Sequence, residues 1–184
     1  MGTDKAFLRF GQESLLDRAL RLAASVTQDI RIVGDPKKFA NLSHPVIEDV
    51  YPQRGPLGGI HAAFCQTPSE LNLILAVDMP LVTPAFLVYL IAQARRSAAV
   101  VTVPNAFGGF QPLCAVYRRE FADLAEESLH AGKNKIDPLF VRTSTQVITE
   151  EQLLSAGFSP EMFRNLNTPE DIVQARHKCG FNTC

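Results

Sequence analysis

The sequence predicts an α/β domain, an open and mostly parallel sheet in three layers with helices on both faces. Three observations lead there. Apolar runs of strand length alternate with segments of helical periodicity over most of the chain. One run, Leu71 to Val77, is apolar at nearly every position, as suits a strand buried on both faces of a parallel sheet. That run stops abruptly at Asp78-Met79-Pro80, and ligands of open α/β sheets bind just beyond the carboxyl ends of strands.

The elements follow in order. Leu15, Leu16, Ala19, Leu20, Leu22, Ala23 and Val26 mark one face of an amphipathic helix from Ser14, its N-cap, to Val26. Ile30 to Val33 reads as a short strand closed by Gly34-Asp35-Pro36, and Pro45 to Val50 as another. A loop rich in turn formers, Tyr51 to Gly59, overlaps a helix expected over Gly58 to Gln66. After the strand before Asp78 comes a helix from Pro84 to Arg96, with Thr83 as N-cap and Pro84 at the first helical position. Ala98 to Val103 is a strand ended by Pro104. Leu113 to Tyr117 is another, reached through Gly108-Gly109, and Glu120 to His130 is a helix. Ile136 to Val141 is a short apolar piece, and Thr145 to Thr149 suits a strand at the far edge. Thr168 to Lys178 is a terminal helix, with Pro169 at its first position and Glu170-Asp171 near its positive end. No repeat or linker interrupts the pattern, so residues 1–184 are expected to form one domain.

Bulk properties narrow the function. The 184 residues are 46% hydrophobic and 20% charged, with a net charge of −1, which fits a globular chain. That balance points away from nucleic-acid and membrane-surface partners. Cys65, Cys114, Cys179 and Cys184 form no C-x-x-C pair, so neither a zinc site nor a disulfide framework is expected. Without a basic-then-apolar leader or a membrane-length apolar run, the expected location is the cytoplasm.

Asp78 carries the chemistry. A carboxylate beyond a buried strand is well placed to hold Mg²⁺, which takes one or two protein carboxylates and completes its shell with substrate phosphates. From the residues alone, a turn or helix-capping Asp explains the position equally well.

Five segments in order resemble the molybdenum cofactor guanylyltransferase family of nucleotidyltransferases, over Met1 to about Arg176. They are Met1-Gly2-Thr3-Asp4-Lys5-Ala6, Gly55-Pro56-Leu57-Gly58-Gly59-Ile60, Val77-Asp78-Met79-Pro80, Gln111-Pro112-Leu113-Cys114-Ala115-Val116-Tyr117, and Asn165-Leu166-Asn167-Thr168-Pro169-Glu170-Asp171. The resemblance implies a Rossmann-like nucleotidyltransferase that moves GMP from GTP to molybdenum-bound molybdopterin and releases pyrophosphate. It implies Mg²⁺ on Asp78, the triphosphate on Lys5, and the nucleotide on Asp49, Gly58 and Gly59. It also implies the pterin near Asn165 and Asn167. A molybdoenzyme or its chaperone is the implied protein partner. The chemistry needs no protein nucleophile, because the attacking phosphate is already ionised; positioning and charge neutralisation suffice. Lys5 taken alone reads as a solvated lysine, Asp49 as a turn residue, and Asn167 with Thr168 as a helix cap. Arg54 reads as a loop residue or a phosphate cation, and Lys133 and Lys135 as cations for the acceptor phosphate. Cytidylyl transfer to the same pterin and a non-catalytic pterin-binding module are the alternatives.

The sequence departs from the family at its start. The family signature opens with a strand, Leu-Ala-Gly-Gly and a Ser-x-Arg pair ahead of the Met-Gly found here. The expected fold therefore lacks its first strand and the first half of the phosphate loop. Either Met1 is an internal methionine of a longer chain or the protein is shortened, and this form is expected to have little transferase activity.

Overall fold

The computed structural model of the chain describes residues 5–165. A 3-10 turn (Lys5–Phe7) leads through a small hairpin, β1 (Arg9–Phe10) and β2 (Glu13–Ser14), into α1 (Leu15–Ala24). Ser14 caps α1 as expected. Its hydroxyl accepts the Asp17 N–H at 3.0 Å while the Asp17 carboxylate accepts the Ser14 N–H, a reciprocal capping box. Next come β3 (Ile32–Val33), β4 (Val46–Ile47), α2 (Pro56–Gln66) and β5 (Leu71–Leu75). The remainder is α3 (Pro84–Arg96), β6 (Val101–Ala106), β7 (Gly109–Phe110), β8 (Cys114–Arg118), α4 (Phe121–His130), α5 (Asp137–Phe140), β9 (Thr145–Ile148) and α6 (Glu150–Ser155).

The three layers follow from alternation along the strands. Cys114 and Val116 of β8 pack with Phe86, Leu87 and Leu90 of α3 on one face. Ala115 and Tyr117 point the other way, into Leu57, Ile60 and Phe64 of α2 and Phe121, Ala125 and Leu129 of α4. Helices thus cover both faces. The only polar atom on the Tyr117 side chain, its hydroxyl, is satisfied by donating to the Pro112 carbonyl at 2.7 Å. Burial pushes the Cys114 thiol up to about 12, so this cysteine is an inert packing residue.

The main sheet runs β5-β8-β6, with β9 beyond β6. β9 pairs with β6 in parallel at the edge, as expected, while β8 is antiparallel to both β5 and β6. The sheet is therefore mixed, with β5, β6 and β9 running one way and β8 the other. The reason is connection length. Between Ala106 and Cys114 there is too little chain for a crossover helix, which needs a dozen or so residues, and the β6–β7 hairpin reverses direction instead. One correction concerns Pro104, which lies within β6 rather than ending it. Pairing of β6 with β8 stops at Thr102, so a proline beyond it costs the sheet little, and its carbonyl still accepts the Gln111 N–H at 2.9 Å. The helix expected over residues 168–178 lies outside the described residues.

β3 and β4 form a separate parallel pair. Between β3 and the outer edge of β5 lies a slot of about 630 Å³, lined by Ile32, Val33, Leu71, Leu73, Ile74 and Val77 among others. Every residue of β5 is only half-buried, although its sequence is that of a core strand. Among the described residues no strand fills this slot. Also among the described residues, no helix is long and apolar enough to cross a membrane.

Candidate active site

Asp78 sits three residues past the end of β5, in the turn toward Pro80. The turn is anchored from below: Met79 is buried, and Arg18 of α1 donates from Nε to the Pro80 carbonyl at 2.5 Å. Arg18 is itself held by Glu13 at 3.0 Å. This leaves the Asp78 carboxylate at the carboxyl edge of the sheet, 21% exposed.

Lys5 reaches the same point. Its Nζ lies 3.9 Å from Asp78 Oδ2, a loose pair whose ammonium remains half-exposed. A lysine and a carboxylate at this separation suit a polyphosphate that bridges them, the ammonium neutralising oxygens and the carboxylate sharing a cation. Among the described residues no three His, Cys, Asp or Glu side chains converge to hold a metal. The donor set therefore fits an ion such as Mg²⁺, bound through one carboxylate and completed by phosphate oxygens and water.

The glycine pair opens α2 close by. Gly59 and Asp78 line the same cavity, together with Val33. Helix α2 starts at Pro56, two residues earlier than its sequence suggests, and Gly55 at its N-cap has φ +66° and no side-chain cap. Asp49, just past β4, folds its carboxylate against this helix start. Its Oδ1 accepts the Tyr51 N–H at 2.8 Å, and a Cβ on Gly58 would lie 2.9 and 3.0 Å from the two carboxylate oxygens. Only glycine admits this approach. A carboxylate beside a helix N-terminus is also favoured by the helix dipole.

Tyr51 is a residue that sequence reasoning passed over. Its hydroxyl lies 2.7 Å from His130 Nε2 at the end of α4, and its ring stacks edge-on to His61 of α2 at 5.2 Å between centroids. It thereby ties the loop bearing Asp49 to two helices. No sequence signal marks it, because its partners are 79 and 10 positions away. Arg54 lies beside Gly132, in the turn that also carries Lys133. Lys133 and Lys135 are exposed on that turn. Asn165 is exposed and follows Arg164, whose guanidinium covers the ring of Phe107 at 5.7 Å. Asn167 lies outside the described residues. The structure thus brings Lys5 to Asp78 and Asp49 to Gly58, and sets Asn165 beside the Phe107 turn.

Residues 1–145 match the MobA-like NTP transferase domain. The chain belongs to this family. A probable molybdenum cofactor guanylyltransferase of Pelotomaculum thermopropionicum is 33% identical over 177 residues, 96% of this chain and 85% of that protein. The molybdenum cofactor guanylyltransferase of Desulfosudis oleivorans is 30% identical over 175 residues, 95% of this chain and 86% of that one. Among solved structures, molybdopterin-guanine dinucleotide biosynthesis protein A of Archaeoglobus fulgidus superposes with a TM-score of 0.84 at 25% identity, covering 98% of this chain and 93% of its own. The fold extends to the 2-C-methyl-D-erythritol 4-phosphate cytidylyltransferase of Thermus thermophilus, with a TM-score of 0.70 at 14% identity over 96% of this chain and 94% of the other. As a MobA-like transferase the protein is an enzyme of the nucleotidyltransferase class, and its α/β fold is that of the class.

Proposed function

We propose that this MobA-like transferase moves GMP from GTP to the terminal phosphate of molybdenum-bound molybdopterin, releasing pyrophosphate and forming the guanine dinucleotide cofactor. The observation that carries the reading is the Lys5–Asp78 pair at 3.9 Å beyond the carboxyl end of β5, with Asp78 and Gly59 of α2 lining one cavity. The names of the relatives support guanylyl transfer in particular.

Lys5 binds the triphosphate and neutralises charge that builds on pyrophosphate as it departs. Asp78 holds Mg²⁺, which when bound supplies Lewis-acid stabilisation of the phosphoryl oxygens. The first turn of α2, which begins at Pro56 and carries Gly58 and Gly59, is the nucleotide's backbone contact. Asp49 accepts N–H donors of the guanine edge; a site built for that pairing rejects bases that lack it. Asn165 and Asn167 are the candidate contacts for the pterin. The protein works as one unit in the cytoplasm, handing its product to a molybdoenzyme or its chaperone.

Calorimetric titration with GTP tests the reading. The chain binds GTP in a Mg²⁺-dependent manner, Asp78→Ala removes the Mg²⁺ dependence, and CTP competes poorly. Equal Mg²⁺-dependent affinity in Asp78→Ala, or a preference for CTP, would overturn it. If Asp49 reads the base, Asp49→Asn narrows the gap between GTP and ATP; if it serves α2 alone, that variant loses stability with selectivity unchanged.

A further inference from the structure

The turn joining β6 to β7 breaks a local rule. Ala106 pairs with Gly109, so Phe107 and Gly108 form a two-residue hairpin loop. Their φ angles are +55° and +73°, as a type I′ turn requires. Such a turn favours Asn-Gly or Gly-Gly, because a bulky residue with a Cβ is strained at positive φ. Here the first position holds a phenylalanine whose ring is 55% exposed, so no core packing compensates. Natural sequences break local rules mainly at functional sites.

The turn is held from two sides. Glu150 of α6 accepts the Phe107 N–H, and the Arg164 guanidinium lies 5.7 Å over the ring. Arg164 is fixed in turn by Glu161 at 2.5 Å. An exposed aromatic ring with an anchored guanidinium beside it is a surface that flat heteroaromatic rings stack on.

Strand register places it against the site. Asn72 of β5 and Val101 of β6 both pair with Tyr117 of β8, so they stand level. Asp78 follows the carboxyl end of β5 and Phe107 the carboxyl end of β6, and both strands are antiparallel to β8, so the two residues lie on the same edge of the sheet. Gly59 and Val33 line one cavity with β5 and Asp78, and its lining includes neither Phe107 nor Arg164. The nucleotide candidates and the Phe107 turn therefore occupy different parts of that edge.

We propose that Phe107, with Arg164, is the stacking platform for the fused ring system of the acceptor, a role that rests on the acceptor's being a pterin. The binding-side strain is retained because the ring serves the ligand rather than the fold.

The test uses the whole chain, a fluorescent pterin carrying a phosphomethyl group as probe, and GTP with Mg²⁺ as internal control. Phe107→Gly relieves the φ strain and raises Tm by about 2–4 °C, while pterin affinity falls about tenfold and GTP affinity stays within about twofold. Phe107→Trp keeps pterin affinity within about threefold of the parent. Unchanged pterin binding in Phe107→Gly, beside a parent that binds, would overturn the platform and leave the pterin acceptor standing. A parent chain that binds GTP but no pterin would overturn both. A parallel loss of pterin and GTP binding would show that the residue serves the fold, and would also overturn the proposal.

Discussion

Gly58 and Gly59 are adjacent in sequence and equivalent by composition, yet the structure separates their roles. A Cβ at Gly58 would meet both oxygens of Asp49 at 2.9 and 3.0 Å and the Tyr51 carbonyl at 3.1 Å. A Cβ at Gly59 would meet only a Val33 methyl at 3.3 Å. The carbonyl cannot swing aside, so Asp49 and its loop must move. Gly58→Ala is expected to cost about 1–3 kcal/mol of stability and to weaken GTP binding about tenfold, beyond what Gly59→Ala does. Chemical denaturation and GTP titration of the pair check this; equal effects would show that the Asp49 contact is unimportant. At this scale the sequence singled out Asp78, as a carboxylate placed after an apolar run that a turn residue would explain equally well. It offered Lys5 and Asp49 only by likeness to a family, because an isolated charge in a loop has no pattern of its own. Tyr51 and Phe107 carried no weight until distant segments met them.

Among the elements, α1 does more than cover a face of the sheet. Glu13 accepts from Arg18 at 3.0 Å and from Arg21 at 2.7 Å, and Arg18 passes on to the Pro80 carbonyl beneath Asp78. The hydrogen bond from Arg21 is the main cause holding the Glu13 carboxyl below the usual range, opposed by partial burial and helped by Arg18. A carboxyl with a depressed folded pKa contributes stability above its unfolded value, and that contribution is lost as pH falls through the folded one. Glu13→Gln should therefore lower Tm near neutral pH, with the gap to the parent closing below about pH 4. Since Arg21 is 57% exposed, solvent screening keeps the effect to about 1–3 °C. A gap that stays constant with pH would assign the loss to packing. Of the element boundaries, α3 was fully legible: Thr83 and Pro84 specify its start by capping and fixed φ. The direction of β8 is not written in alternating apolar segments, which do not state polarity, although the short Ala106-to-Cys114 connection does. Pro104 misled because a proline is a strand breaker only where its missing N–H would have been paired.

At the scale of the molecule, two sheets face each other across a slot of about 630 Å³. Among the described residues β5 pairs along one edge only and presents half-buried apolar side chains to the slot, and β3 lines the opposite wall. Edges of this kind accept an added strand through main-chain hydrogen bonds. Extending the chain ahead of Met1 by an apolar strand is expected to raise Tm and to slow amide exchange at Ile32, Val33 and Leu71 to Leu75. It should also raise transferase turnover over that of the 184-residue form. A matched extension with proline at its centre should fail in all three, since proline cannot complete the ladder. Exchange at β3 and β5 that is unaffected by the apolar strand would show that the slot does not take one.

The sequence by itself determined what local chemistry can specify. Periodicity set the class of most elements, capping residues set helix starts, and an apolar strand ending in Asp78 marked a candidate metal position. Only the tertiary structure decided which loops share a rim, that Lys5 closes on Asp78, that Asp49 rests on Gly58, and that the Phe107 turn lies on the same sheet edge as Asp78. The reason is physical: hydrophobic patterning repeats over a few residues and is written in the local chain, whereas a site is a coincidence of distant segments fixed by strand order, direction and register.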